Sequence, residues 1–72
     1  MTIVLTKDTC ERAARRGIGA DELVADVADL LERGLVMNGD RHFLRVYATD
    51  LSRCYLVKRS PTRTLVVHVR WK

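Results

Sequence analysis

The second half of the chain carries arginines, aromatic residues and a histidine at alternate positions, a spacing typical of one face of a β-sheet. Arginine side chains can grip phosphate groups, and aromatic rings can stack on unpaired bases. The sequence therefore predicts a binding face for a nucleic acid or a nucleoprotein complex, formed by Arg45, Tyr47, Arg53, Tyr55, His68 and Arg70, with Phe43 beside them. The alternative is an ordinary solvated face on which the tyrosines pack across strands.

His68 is the candidate general base on this face, because imidazole titrates near neutral pH. A metal-independent ribonuclease would combine it with arginines that stabilise charge on the phosphate, and its set would be His68, Arg70, Arg45, Arg53 and Tyr55. The chain has no glycine-rich phosphate loop and no GxSxG or HExxH motif. We therefore favour a protein without enzymatic activity and assign no catalytic residue.

The cysteines and histidines do not have the spacing of a metal site. Cys10 and Cys54 belong to no CxxC motif, and His42 and His68 have no second ligand at helical or knuckle spacing. A zinc site needs three or four ligands within tetrahedral reach. We expect no metal and no cofactor, and we expect the cysteines to be reduced, buried thiols.

Charge is distributed unevenly along the chain. Residues 1–34 hold seven acidic and five basic residues, a net charge of −2, whereas residues 35–72 hold two acidic and eight basic residues, a net charge of +6. Such a bipolar molecule can orient a charged partner during encounter. Glu22, Asp26 and Asp29 on the second helix form an alternative acidic surface for a basic partner; otherwise they form a solvated outer surface.

The length of 72 residues predicts a single domain over residues 1–72. No apolar run approaches the roughly 18 residues of a membrane span, and the N-terminus lacks the pattern of a signal peptide. We therefore expect a cytoplasmic protein without membrane contact. The sequence leaves both a monomer and a homodimer open.

Two helices are predicted in the first half. Asp8 would cap the first helix, and Gly17 would stop it. The second helix would run between Gly19 and Gly34, and it would end in a Schellman motif in which Leu35 folds back on the helix.

The rest of the chain predicts strands, with a first short strand at residues 3–5. Asn38-Gly39 is a hairpin signal leading into a partner strand over residues 41–49, and further turns fall at residues 50–52 and 60–62. The fold class is α+β: a short strand, two helices, and a three- to four-stranded antiparallel meander packed on the helices. Alternation assigns to the helix side Leu44, Val46, Cys54, Leu56, Leu65, Val67, Val69 and Trp71.

This order of elements resembles the RelE/ParE toxin superfamily of small bacterial proteins, which cleave messenger RNA on the ribosome or poison gyrase. Arg12, Arg16, Gly17 and Ile18 fit a helix motif of that group, and residues 54–69 look like its closing hydrophobic hairpin. Asp8 stands where the motif has a histidine, and we expect no C-terminal catalytic segment of the kind found in longer RelE toxins.

Together these features favour a small, non-enzymatic binding or inhibitory protein on a RelE-like scaffold. A phage or mobile-element protein that blocks a host complex, such as an anti-CRISPR protein, would fit this description. One alternative is a RelE-like metal-independent endoribonuclease toxin. Another is a partner-bound subunit that docks by a sheet edge or by the acidic helix.

Overall fold

The computed structural model describes residues 2–39 and 42–72. Along the chain, one strand is followed by two helices and then by four strands, which confirms the predicted α+β class. In chain order the elements are β1 (Thr2–Leu5), α1 (Lys7–Arg15), α2 (Ala20–Arg33), β2 (Leu35–Asn38), β3 (Phe43–Tyr47), β4 (Arg53–Arg59) and β5 (Arg63–Trp71).

All five strands form one sheet in the order β1-β5-β4-β3-β2. Strands β2 to β5 are an antiparallel meander, as the turn signals predicted. Strand β1 adds to it in parallel beside β5, so the complete sheet is mixed. A parallel neighbour requires a long crossover, and here every other element lies between the two strands in sequence.

The core lies between one face of the sheet, called here the helix side, and the two helices. Helix α2 contributes Leu23, Val27 and Leu30, spaced along one helical stripe. The buried apolar residues of the sheet and its loops are Val46, Ala48, Tyr55, Val57, Val66 and Val69. Neither helix covers the other face, called here the open face: strand register turns Arg45, Cys54, Leu56 and Leu65 towards it.

The cap of α1 differs from the prediction. Thr6, not Asp8, is the N-cap, and its hydroxyl accepts a hydrogen bond from the Thr9 amide at 3.3 Å. At the other end Gly17 has a φ of +73°, as its predicted role as the stop requires. The amides of Gly17 and Ile18 donate to the carbonyls of Ala14 and Ala13, the bonding pattern of a Schellman motif.

Helix α2 begins after Gly19 as predicted, but it does not end in a Schellman motif. Gly34 is the C-cap with extended backbone at φ −85°, and Leu35 continues directly into β2 with half of its surface exposed. Glycine is needed here for space: a Cβ on Gly34 would lie 2.5 Å from the Tyr47 carbonyl oxygen.

The hairpin between β2 and β3 is present, but Asn38 belongs to the strand and not to the turn. Asn38 pairs with Leu44, and the Gly39 amide donates to the Phe43 carbonyl at 2.9 Å. The start of the predicted partner strand at Arg41 lies outside the described residues, and β3 begins at Phe43.

A β-bulge in β5 overturns part of the predicted face assignment. Leu56 pairs with His68, but the next residue, Val57, pairs with Val66, so Val67 is an extra residue. The bulge reverses the alternation: Val66 lies on the helix side before it, and Val69 lies on that side after it. Leu65 was therefore assigned to the wrong face, while Val69 and Trp71 were assigned correctly.

The face assignment of β4 is wrong throughout. Tyr55 and Val57 are buried on the helix side, whereas Cys54 and Leu56 lie on the open face. Both sets of alternate positions contain apolar residues, so the pattern of β4 alone could not decide between them. The prediction that Cys54 is a core thiol falls with this assignment.

Candidate nucleic-acid interface

The open face brings four of the six predicted binding residues together. Strand register places them in two rows across β3, β4 and β5. One row is Arg45, Leu56 and His68, and the next is Tyr47, Cys54 and Arg70. Directly opposite residues of antiparallel strands have Cβ atoms about 5 Å apart, so the rows form a continuous patch.

These six residues line a shallow depression of about 300 Å³. Arg45 and Arg70 are exposed, and Tyr47 and His68 are half-buried. Phe43 continues the face along β3, with the Lys58 ammonium 5.9 Å from its ring centre. The open face therefore presents cations and rings around an apolar floor of Leu56 and Cys54.

Arg53 and Tyr55 are not part of this patch, which corrects the prediction. They lie on the helix side and bind Asp26 of α2. The Arg53 guanidinium donates two hydrogen bonds of 2.6 Å, one to each carboxylate oxygen. The Tyr55 hydroxyl donates to the same carboxylate. This Asp26 cluster (Asp26, Arg53 and Tyr55) joins the second helix to the middle of the sheet.

The Asp26 cluster has the chemistry of a partly buried ion pair that stabilises the contact between helix and sheet. Hydrogen bonds from Arg53 hold the pKa of Asp26 below its usual range despite burial, with a smaller contribution from Tyr55. Burial, and then the bond to Asp26, raises the pKa of Tyr55. The hydrogen bonds to Asp26 also raise the pKa of Arg53. These shifts all favour a charged pair of Asp26 and Arg53 beside a neutral Tyr55 phenol.

One sequence signal could have located the Asp26 cluster. Asp26 lies three residues after Leu23 and four before Leu30, so it borders the apolar stripe of α2. A carboxylate at such a position needs a cation or several donors from the element that the helix packs on. The half-buried arginine of β4 supplies them.

His68 has a carboxylate near it but no hydrogen bond to it. Its Nδ1 atom lies 3.8 Å from an oxygen of Asp8, and the exposed fraction of the side chain is 44% for His68 and 63% for Asp8. Of the proposed nuclease set, Arg45, His68 and Arg70 share the open face, while Arg53 and Tyr55 are separated from them by the sheet. The five residues therefore do not form a single catalytic constellation.

A second basic surface lies beside the open face, where α1 passes the edge of β5. Strand β1 pairs with β5 only as far as Val66, and α1 occupies the edge beyond it. Thr6 and Thr9 anchor the helix there: the Thr6 amide and the Thr9 hydroxyl both donate to the Val66 carbonyl, each at 3.2 Å. This arrangement creates a groove of about 390 Å³, called here the arginine groove, lined by Arg12, Arg15, Arg16, Arg70 and Trp71.

Sequence reasoning did not identify the arginine groove. Arg12 and Arg16 were named only as part of the family resemblance, and Trp71 was assigned to the helix side of the sheet. The Arg16 guanidinium lies 4.6 Å above the centre of the Trp71 ring. The Nε atom of Arg12 is shielded from solvent and has no hydrogen-bond partner in the described structure.

The alternative acidic surface is partly neutralised. Asp26 is bound by Arg53, and Asp29 forms an exposed ion pair of 3.4 Å with Arg33 one turn later. Glu22 remains exposed. Exposed helical pairs contribute little, about 0.3–0.5 kcal/mol, so the surface stays available but carries less charge than the sequence indicated.

Residues 2–39 and 42–72 contain no group of three or more histidine, cysteine, aspartate or glutamate side chains that could hold a metal ion. Within the same residues no helix is long and apolar enough to cross a membrane. Both cysteines are free and half-buried.

Comparison with known proteins assigns no family to the chain. No protein-family model, no curated protein and no solved structure matches it. The resemblance to the RelE/ParE superfamily therefore stays a prediction, and the geometry of the chain's own surfaces carries the functional argument.

Proposed function

We propose that this protein is a non-enzymatic binding protein whose open sheet face engages a single-stranded nucleic acid. The observation that carries the proposal is the patch in which Arg45, Tyr47, His68 and Arg70 surround an apolar floor on a face that neither helix covers. Occupying a strand in this way would block other proteins from it, which suits an inhibitory role such as that of a phage-encoded blocker.

The chemistry of the patch favours unpaired nucleotides over a duplex. Tyr47 and Phe43 lie on the same face of β3 with Arg45 between them. A ring on a sheet can stack on a base only if that base is unpaired and splayed out, whereas duplex recognition uses a protruding helix, ribbon or loop. The flanking arginines would contact the phosphates on either side of a stacked base.

The charge of these arginines is not neutralised within the fold. No carboxylate of the described residues lies within ion-pair distance of Arg45 or Arg70, whereas Arg53 is bound to Asp26. Unpaired cations on one surface attract polyanions by releasing counterions from them.

The proposal is tested by fluorescence anisotropy with a labelled single-stranded RNA of mixed sequence across a range of salt concentrations. Binding should weaken steeply with salt, and Arg45→Gln should lower the log–log slope by about 0.7, the contribution of one phosphate contact. Tyr47→Ala should weaken binding about 5- to 100-fold through lost stacking.

Arg33→Gln is the matched control, because it removes the same charge from the exposed end of α2 on the other side of the molecule. It should leave both the affinity and the salt slope nearly unchanged. The proposal fails if no RNA binds, if binding does not depend on salt, or if Arg33→Gln has the same effect as Arg45→Gln.

The same samples separate binding from cleavage. The nuclease alternative retains only Arg45, His68 and Arg70 on one face, and it expects the RNA to be shortened during incubation. It also expects His68→Ala to abolish that cleavage. A binding protein leaves the RNA at full length.

One further observation favours partner docking at a sheet edge. Strand β2 is an edge strand, and its apolar side chains Leu35, Val36 and Met37 are 50%, 43% and 57% exposed. Such an edge can pair with a strand of another chain. If a second copy pairs there, sedimentation should show a dimer that Val36→Lys dissociates; a monomer at all concentrations would reject this candidate.

A further inference from the structure

We propose that the arginine groove is a binding site for a group of adjacent phosphates, such as the di- or triphosphate end of a nucleic acid or a free polyphosphate. This inference does not require the open face to bind RNA. It rests on the composition of the groove, on the absence of a carboxylate of the described residues near its arginines, and on the way Arg16 is held.

The groove concentrates positive charge without an internal counter-charge. Four arginines line it, and no carboxylate of the described residues lies within ion-pair distance of any of them. Like charges brought together repel one another, so the arrangement is costly unless an anion neutralises it. Guanidinium groups match phosphate oxygens in geometry as well as charge, because they donate paired hydrogen bonds in one plane.

One of the arginines, Arg16, is already positioned. Stacking on Trp71 holds the Arg16 guanidinium at the wall of the groove and restricts its rotamers before any ligand binds.

The position of the groove at the C-terminal end of α1 works against anion binding, because a helix C-terminus carries partial negative charge. Here that charge is reduced: the carbonyls of Ala13 and Ala14 accept hydrogen bonds from the amides of residues 16–18. About half a charge at the helix end is small beside four guanidinium groups. The net field in the groove therefore remains positive.

The number of cations indicates the class of ligand. A phosphodiester carries one negative charge per phosphate, so a single backbone phosphate would leave most of the four arginines unmatched. Adjacent phosphates place three or four negative charges within a few ångströms and fit a groove of about 390 Å³.

The test is isothermal titration calorimetry of the full chain with inorganic tripolyphosphate, and with orthophosphate and sulfate for comparison. Tripolyphosphate should bind at least tenfold more tightly than either single anion. Arg16→Gln should weaken it at least tenfold, and because Arg16 is exposed this variant should fold. Arg12→Gln is the second variant. The chain has one tryptophan, Trp71, so binding in the groove should also change its fluorescence.

Arg33→Gln is again the matched control and should bind tripolyphosphate as the unmodified protein does. A 5′-triphosphate RNA should bind more tightly than the same RNA with a 5′-hydroxyl end if the source is a nucleic-acid terminus; equal binding assigns the site to free polyphosphate. The inference is overturned if tripolyphosphate binds no more tightly than sulfate, if Trp71 fluorescence does not respond, or if Arg33→Gln weakens binding equally. RNA binding to the open face would survive that result.

Discussion

Arginines on the two sides of this sheet differ in their contacts, although neighbouring strands carry them. On the helix side, Arg53 is bound through two nitrogens to Asp26 and is half-buried. On the open face, Arg45 and Arg70 have no carboxylate of the described structure within ion-pair distance. The first arginine therefore stabilises the fold, and the other two leave their charge available to a partner.

Residue type and alternation are therefore not enough to assign an arginine to a surface for a partner. Arg53 and Tyr55 have the composition of a phosphate-binding pair. Both, however, bind Asp26 of the second helix and so hold that helix on the sheet. Arg45 and Arg70 differ from Arg53 in having no counter-charge among the described residues.

The largest expected effect is the loss of stability when the Asp26 cluster on the helix side is broken. Asp26→Asn keeps the shape of the side chain but leaves the Arg53 charge unpaired, and should lower the free energy of unfolding by about 2–3 kcal/mol. The loss is smaller than for a fully buried pair, because both side chains are partly exposed. Asp29→Asn on the exposed face of α2 is the control, with an expected loss of about 0.5 kcal/mol or less. Urea denaturation measures both, and equal losses would refute the structural role.

Acid should remove the same contribution. The pKa of Asp26 is lowered by folding from an ordinary value of 3.8. A depressed pKa stabilises the fold above the unfolded-state value, and that stabilisation is lost as the pH falls through the folded-state value. The difference in stability between the unmodified protein and Asp26→Asn should therefore be constant near neutral pH and shrink below about pH 4. A difference that does not change in acid would contradict this assignment.

A smaller effect is expected from the two tyrosines. Tyr55→Phe removes the hydroxyl that bonds to Asp26 and should cost about 1–1.5 kcal/mol. Tyr47→Phe on the open face should change stability by less than about 0.5 kcal/mol. Thermal unfolding of both variants provides the comparison. A larger loss of stability in Tyr47→Phe than in Tyr55→Phe would contradict the assignment of the stabilising hydroxyl to Tyr55.

The smallest effect should come from Arg45→Gln. This arginine is exposed and unpaired, so its removal should change the free energy of unfolding by less than about 0.5 kcal/mol while RNA affinity falls. If Arg45→Gln destabilises the protein as much as Asp26→Asn does, the distinction between the two sides of the sheet is lost.

The sequence predicts local features of this fold well. The apolar stripe of α2, the stop at Gly17 and the meander follow from spacing and turn chemistry, which act over a few residues. The N-cap at Thr6 was missed because Asp8 offered an equally good local pattern. The parallel pairing of β1 with β5 was not predicted, since it depends on contacts between the two ends of the chain.

The candidate site was predicted only in part, because spacing along a strand is visible in the sequence and contacts between distant elements are not. The placement of Arg45, Tyr47, His68 and Arg70 together was correct. Arg53 and Tyr55 were misplaced because β4 has apolar residues at both sets of alternate positions. The arginine groove depends on a helix lying against a strand edge, which no periodicity along one element can reveal.

The pairing of β1 with β5 has a consequence for how the protein folds. Thr6 and Val67 are hydrogen-bonded although they are 61 positions apart, so this side of the sheet has a high contact order. Until β5 leaves the ribosome, β1 has no strand to pair with, and the edge of β4 stays exposed. Folding of this side of the sheet should therefore be comparatively slow for a domain of this size.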